Sequence, residues 1–234
     1  MPRRAEPSSD RRAGGTDDAA PGAVVLVGGG SRRMGQAKAG LDFGGEPLLV
    51  RVLGRILPAV RCAVVVAAPG QDLPALPEGV RLARDPVEGR GPLQGIAVGL
   101  EALAPEVAYA FVCATDAPFV SSALVRRLHA LGLAGDADGP FDAVVPEAEG
   151  ELHATLALYA TRLATRAAAL LAGGERRARA LAFGPRVRRV SPSELLLDPA
   201  LRAEDPELAC LVDLDTPEAY RAALERLHRP RAPD

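Results

Sequence analysis

The sequence predicts an α/β fold, a three-layer α/β/α Rossmann-like sandwich around a mostly parallel sheet, on three observations. Short β-branched runs alternate with helical patterns along most of the chain. The runs are apolar on both faces, as strands buried between two helical layers require. The segments joining them are long enough to carry a helix back over the sheet.

In chain order, residues 1–22 are rich in Arg, Asp, Gly, Pro and Ser and lack large apolar side chains, so they read as a disordered tail. "AVVLVG", "CAVVVAA", "VRLARD", "YAFVCATD" and "FDAVVPEA" read as strands, with helices near 46–59, 92–103 and 121–131. "ELHATLALY" reads as a further, antiparallel strand that contains His153. Helices near 160–172 and 175–182 follow, then a strand near 186–190 and a loop rich in Pro, Asp and Glu. "CLVDLD" leads into a terminal helix from Pro217, so one domain is expected over 23–228, with a short tail at 229–234.

Composition excludes several function classes. Against 28 basic residues stand 30 acidic ones, a net charge of −2, so no overall field draws in nucleic acid or an anionic membrane. No apolar run approaches the ~20 residues of a membrane span, and the tail lacks the apolar core of a secretory signal, so a cytoplasmic protein is expected. Cys62, Cys113 and Cys210 lie far apart in apolar segments and read as buried free thiols. Asparagine is absent, and Lys38 is the only lysine among the 28 cations. Where arginine has replaced lysine almost everywhere, a remaining lysine marks a place that requires a compact ammonium.

That lysine closes "GGGSRRMGQAK", which follows the first strand, where the carboxyl ends of parallel strands form a ligand crevice. Its glycines let backbone N–H groups approach phosphate oxygens. It is not a P-loop, because Gln36 rather than lysine follows Gly35, and not a dinucleotide turn, because Arg33 stands where the third glycine belongs. Arg33 steadies phosphates or is simply solvated. Asp85 and Asp116 end their strand runs and so emerge at the same edge, either to serve a nucleotide and its metal or to cap the turns opened by Pro86 and Pro118. "GRGPLQG" lines that edge too, with Pro92 at a first helical position.

Taken in order, "LVGGGSRRMGQAK", "DPVEGRGPLQG", "VCATDAPF", "HATLALY", "GERRARAL" and "VDLDTPEAY" resemble the molybdenum cofactor guanylyltransferases, from Ala23 to about Leu227. The resemblance implies a fold of the nucleotide-diphospho-sugar transferase type. It implies that GTP and the molybdopterin cofactor bind in the crevice, that GMP passes to the terminal phosphate of the pterin, and that pyrophosphate leaves. Leu26, Val27, Gly28, Gly29 and Arg33 then contact the nucleotide, and Lys38 meets its phosphates. Asp85 and the stretch from Gly91 to Gly95, Pro92 and Leu93 included, belong to the guanine or ribose pocket. Asp116 carries Mg²⁺, with Asp215 as a second candidate ligand. Transient contact with molybdenum cofactor insertion proteins is implied as well.

On the acceptor side the resemblance points to His153, Arg176 and Arg177. The residues also admit a packing histidine and a solvated helix face. Three positions depart from the family pattern: Asp213 and Asp215 where asparagine is frequent, Val27 where alanine is common, and Ala154 where proline often follows the histidine. Thr216 and Pro217 also make a good N-cap and first helical position. No Ser/His/Asp or Cys/His arrangement calls for a covalent step, so catalysis by positioning and electrostatics is expected. The competing readings are a sibling that uses CTP or takes a sugar phosphate or phospholactate, and a nucleotide-binding module without turnover. Gly28 argues for guanine over cytosine, and the retained Lys38 and Asp116 argue for turnover.

Overall fold

The computed structural model of the protein describes residues 20–28, 38–87 and 89–228. Its first half alternates strand and helix: β1 (Gly22–Val27), α1 (Leu48–Ile56), β2 (Cys62–Ala67), β3 (Val80–Arg84), α2 (Pro92–Leu103), β4 (Tyr109–Ala114) and α3 (Ser122–Ala134). The second half adds β5 (Ala143–Ala148), β6 (Glu151–Leu152), β7 (Leu156–Ala160), α4 (Leu163–Ala172), β8 (Val187–Val190), α5 (Pro192–Leu195), α6 (Pro199–Glu204) and α7 (Pro217–His228).

The strands form one sheet in the order β3-β2-β1-β4-β7-β5-β6, with β8 also on β5. β1 is parallel to β2 and β4, β2 to β3, and β5 to β8, while β7 runs antiparallel to β4 and β5. The mostly parallel three-layer expectation therefore holds. β1 shows why: Ala23, Val25 and Val27 join a core with Leu49, Leu53 and Leu124 of α1 and α3. Val24 and Leu26 join a second core with Ile96 and Leu100 of α2. Each Val or Leu so enclosed contributes on the order of 1.5–3 kcal/mol, so the strand is pinned from both sides.

Five expectations change. Residues 68–79 join β2 to β3 without a helix, since Pro69, Pro74 and Pro77 interrupt any helical run. The segment 175–182 is helical only as a 3-10 turn at Ala178–Ala182, because the Glu175 carboxylate accepts from the backbone N–H groups of Arg176 and Arg177 at 2.9 and 3.0 Å. The loop after β8 contains α5 and α6, opened by the Ser191 capping box and by Asp198 accepting from the Leu201 N–H. "ELHATLALY" is not one strand, because its two ends take different registers on β5, Leu152 opposite Glu147 and Leu158 opposite Val144. Residues 153–155 are displaced from the ladder, and His153 lies in that break. Cys113 and Cys210 are buried free thiols as expected, whereas Cys62 is half-buried.

Candidate active site

The chain leaves β1 for β2 on one side and later returns as β4 on the other, so the sheet has its switch point at the carboxyl end of β1. The threonine after β4 fastens the two strand ends together: the Thr115 N–H and hydroxyl both donate to the Leu26 carbonyl, at 3.1 and 2.8 Å. Leu26 and Val27 are buried in the sheet, and Gly28 opens to solvent above them. Thr115 was missed in the sequence, although its place just before Asp116 is the signal that would have found it.

Above this edge three segments far apart in the chain bring their charges together. Lys38 opens a short 3-10 turn, and its Nζ donates to Asp116 Oδ2 at 3.0 Å and to Asp215 Oδ1 at 2.9 Å. The backbone supports the arrangement, since the Leu214 N–H donates to the Asp116 carbonyl at 3.0 Å. Partial burial works against the Lys38 charge, but the two carboxylates outweigh it and raise its pKa. Asp213, open to solvent on one side, is pushed up to about 7 by the protein mass around its carboxyl and then by the charges of Asp116 and Asp215.

Among the described residues no group of three His, Cys, Asp or Glu side chains is gathered as a metal cage. Asp116 and Asp215 nevertheless converge on a single cation, the Lys38 ammonium, within 3.0 Å each. Two carboxylates so disposed suit a hard divalent ion that keeps part of its water.

The second part of the crevice lies at the end of β3. The Asp85 N–H donates to the Ala67 carbonyl at 2.9 Å, and the carboxylate Oδ1 is buried without a hydrogen-bond partner. Burial raises the Asp85 pKa, against the opposing pull of the Gln94 amide. A buried acceptor of this kind calls for a donor. Gln94, inside the stretch from Gly91 to Gly95 expected at this pocket, is 5% exposed, and its amide donates to the Val87 carbonyl at 2.7 Å. Gly91 precedes Pro92 at the start of α2 with φ of +76°, and a Cβ there would lie 2.7 Å from the Arg176 carbonyl. That carbonyl accepts from the Leu93 N–H at 3.2 Å.

The acceptor candidates are not assembled in the same way. Arg176 meets the nucleotide side through its backbone, while its side chain is exposed. The Arg177 guanidinium is exposed and paired with Glu175 at 2.8 Å, holding that carboxyl well below the usual carboxylate range. His153 is half-buried, and burial lowers its pKa against the opposing charge of Glu151. Gly29 and Arg33 lie outside the described residues.

The sequence profile of the MobA-like NTP transferase domain matches residues 23–189. The chain belongs to this family. As a MobA-like NTP transferase it is a nucleotidyltransferase. A probable molybdenum cofactor guanylyltransferase of Mycolicibacterium paratuberculosis is 42% identical over 161 residues, which cover 68% of this chain and 78% of the relative. The crystal structure of molybdopterin-guanine dinucleotide biosynthesis protein A from Archaeoglobus fulgidus superposes with a TM-score of 0.66 at 24% identity, covering 88% of this chain and 98% of that one. A Mycobacterium tuberculosis protein crystallised as a manganese complex has the same fold, with a TM-score of 0.58 at 17% identity, covering 88% and 99% of the two chains. Asp213, Asp215 and α7 lie beyond the matched segment, yet Asp215 completes the contact with Lys38. Among the described residues no helix is long and apolar enough to cross a membrane.

Proposed function

We propose that this MobA-like transferase moves GMP from GTP to the terminal phosphate of the molybdenum cofactor, forming molybdopterin guanine dinucleotide and releasing pyrophosphate. The observation that carries the reading is the Lys38 ammonium held between Asp116 and Asp215 at the switch point of the sheet. The names of the relatives support the choice of substrates.

In this reading the Gly28 end of β1 faces the phosphates, and the Asp85 carboxylate at the end of β3 accepts from an N–H or O–H of the base or ribose. Lys38 exchanges its carboxylate partners for phosphate oxygens and so stabilises charge on the α-phosphate and the departing pyrophosphate. Asp116, with Asp215, would hold a divalent ion, Mg²⁺ in the simplest case, which neutralises charge on the triphosphate. The pterin phosphate is already ionised at neutral pH, so no side chain need remove a proton from it, and none need form a covalent bond. His153, Arg176 and Arg177 lie on the side from which the acceptor approaches. A neutral His153 is a hydrogen-bonding group there rather than a charge.

Pyrophosphate release, measured with molybdenum-loaded molybdopterin, Mg²⁺ or Mn²⁺ and each of the four nucleoside triphosphates in turn, tests the proposal. GTP is expected to be used fastest, and only with acceptor present. A preference for CTP would reassign the base, and release without acceptor would make the protein a hydrolase.

A further inference from the structure

One leg of the charged triad does little to hold it together. The Asp215 side chain is 69% exposed, and an ion pair so open to water contributes little to fixing three chain segments. Something less screened must set the distances. Just downstream of each charge stands an aromatic residue: Phe43 after Lys38, Phe119 after Asp116 and Tyr220 after Asp215.

The three rings meet. Phe43 is completely buried, and both Phe119 and Tyr220 pack edge-on against it, each with centroids 5.9 Å away and at interplanar angles of 79° and 70°. Edge-to-face packing is directional, so it fixes orientation as well as contact. Arg51 adds a second tie, its guanidinium 5.3 Å from the Phe43 ring centroid and its Nε donating to the Pro118 carbonyl at 3.3 Å. The Tyr220 hydroxyl donates to the Asp42 carbonyl, and Leu214, buried in the same cluster, carries the N–H that holds Asp116. Each segment that bears a charge is thus fastened to the others through this cluster and the hydrogen bonds around it.

We propose that the rings of Phe43, Phe119 and Tyr220 are positioning groups that set the spacing of Lys38, Asp116 and Asp215, and that α7 takes part in this positioning through the Tyr220 ring. The proposal rests on the transferase reading of the triad. It treats the ring cluster as a rigid mount: a shift of about 1 Å in a charged group is enough to cost up to a hundredfold in rate, while ground-state binding of a large nucleotide changes much less.

The test compares Phe43→Leu, Tyr220→Leu and Tyr220→Phe with the wild type. It uses pyrophosphate release under the conditions above, Mn²⁺ binding by electron paramagnetic resonance with and without GTP, circular dichroism and thermal midpoints. Phe43→Leu is expected to lower kcat about tenfold or more, to leave the KM for GTP within about twofold, and to raise the Mn²⁺ midpoint severalfold. Tyr220→Leu is expected to shift the same quantities in the same direction by less, and Tyr220→Phe, which keeps the ring, to stay near wild type. If Phe43→Leu does not fold, the two Tyr220 variants decide, because that residue is only partly buried. Folded leucine variants with a lowered thermal midpoint but unchanged kcat and Mn²⁺ midpoint would make the cluster packing and nothing more. A wild type that uses none of the four nucleotides would sink the transferase reading instead. The Mn²⁺ midpoints of Tyr220→Leu and Tyr220→Phe would then still decide the role of the ring.

Discussion

The proposed nucleotide half of the crevice and its proposed acceptor half are built on different plans. On the nucleotide side Lys38, Asp116 and Asp215 come from three distant segments and meet within 3.0 Å above a sheet edge tied by Thr115. On the acceptor side Arg177 is occupied by its near neighbour Glu175, Arg176 contributes a backbone carbonyl, and His153 sits in a break between strands. The contrast teaches that positioning follows sequence separation: charges joined across the fold are set by its core, while charges paired within a turn are set by that turn alone. A site of fixed distances suits the transfer step, and a looser one suits a large acceptor that brings its own phosphate.

Three substitutions break or sharpen this contrast. The largest effect is expected for Lys38→Arg, because a planar guanidinium cannot place one compact charge between two carboxylates 3.0 and 2.9 Å away. Turnover should fall roughly ten- to hundredfold with an unchanged far-ultraviolet dichroism spectrum, and near-normal turnover would show that the nucleotide half is as tolerant as the acceptor half. Gly91→Ala probes the seam between them. Its Cβ would meet the Arg176 carbonyl at 2.7 Å in a backbone of φ +76°, so a loss of about 1 kcal/mol in urea denaturation is expected, together with a higher KM for both substrates. A variant as stable as wild type would mean that the two halves are not tied at this point.

The smallest effect is expected for His153→Gln, and it concerns pH. Burial lowers the His153 pKa in the folded protein, so as pH falls through the ordinary histidine value of about 6.5 the unfolded chain takes up the proton first. The contribution of His153 to stability is therefore present above that pH and lost below it, down to the lowered folded value. The stability lost between roughly pH 7.5 and 5.5, read from urea unfolding, should be smaller in His153→Gln than in wild type. An identical slope would mean that His153 is fully hydrated and open to the acceptor.

Much of the nucleotide half was legible in the chain. Asp85 and Asp116 were located because each closes a strand run, and both indeed emerge at that edge, although β3 lies at the rim of the sheet and is largely open to solvent while β4 is buried on both faces. Lys38 stood out because the composition had removed every other lysine. The alternating pattern of "ELHATLALY" concealed the break at His153, since periodicity reports which face a residue occupies and not which register its strand takes on a neighbour. Nothing local in "GERR" indicates that Arg176 serves through its carbonyl, because backbone acceptors have no residue-type signature.

By itself the sequence determined the sandwich, placed Lys38 and Asp116 at the sheet edge, and named Asp215 as a candidate beside Asp116 through the family resemblance. The first two follow from local pattern: apolar runs choose their burial, and chain direction places their ends. Only the tertiary structure decided that Asp215 reaches Lys38 across 177 positions, and that three rings from three segments meet around Phe43. Contacts of that span depend on how α7 docks against the turn after Lys38, which is a matter of complementary surfaces and leaves no periodic trace in either segment.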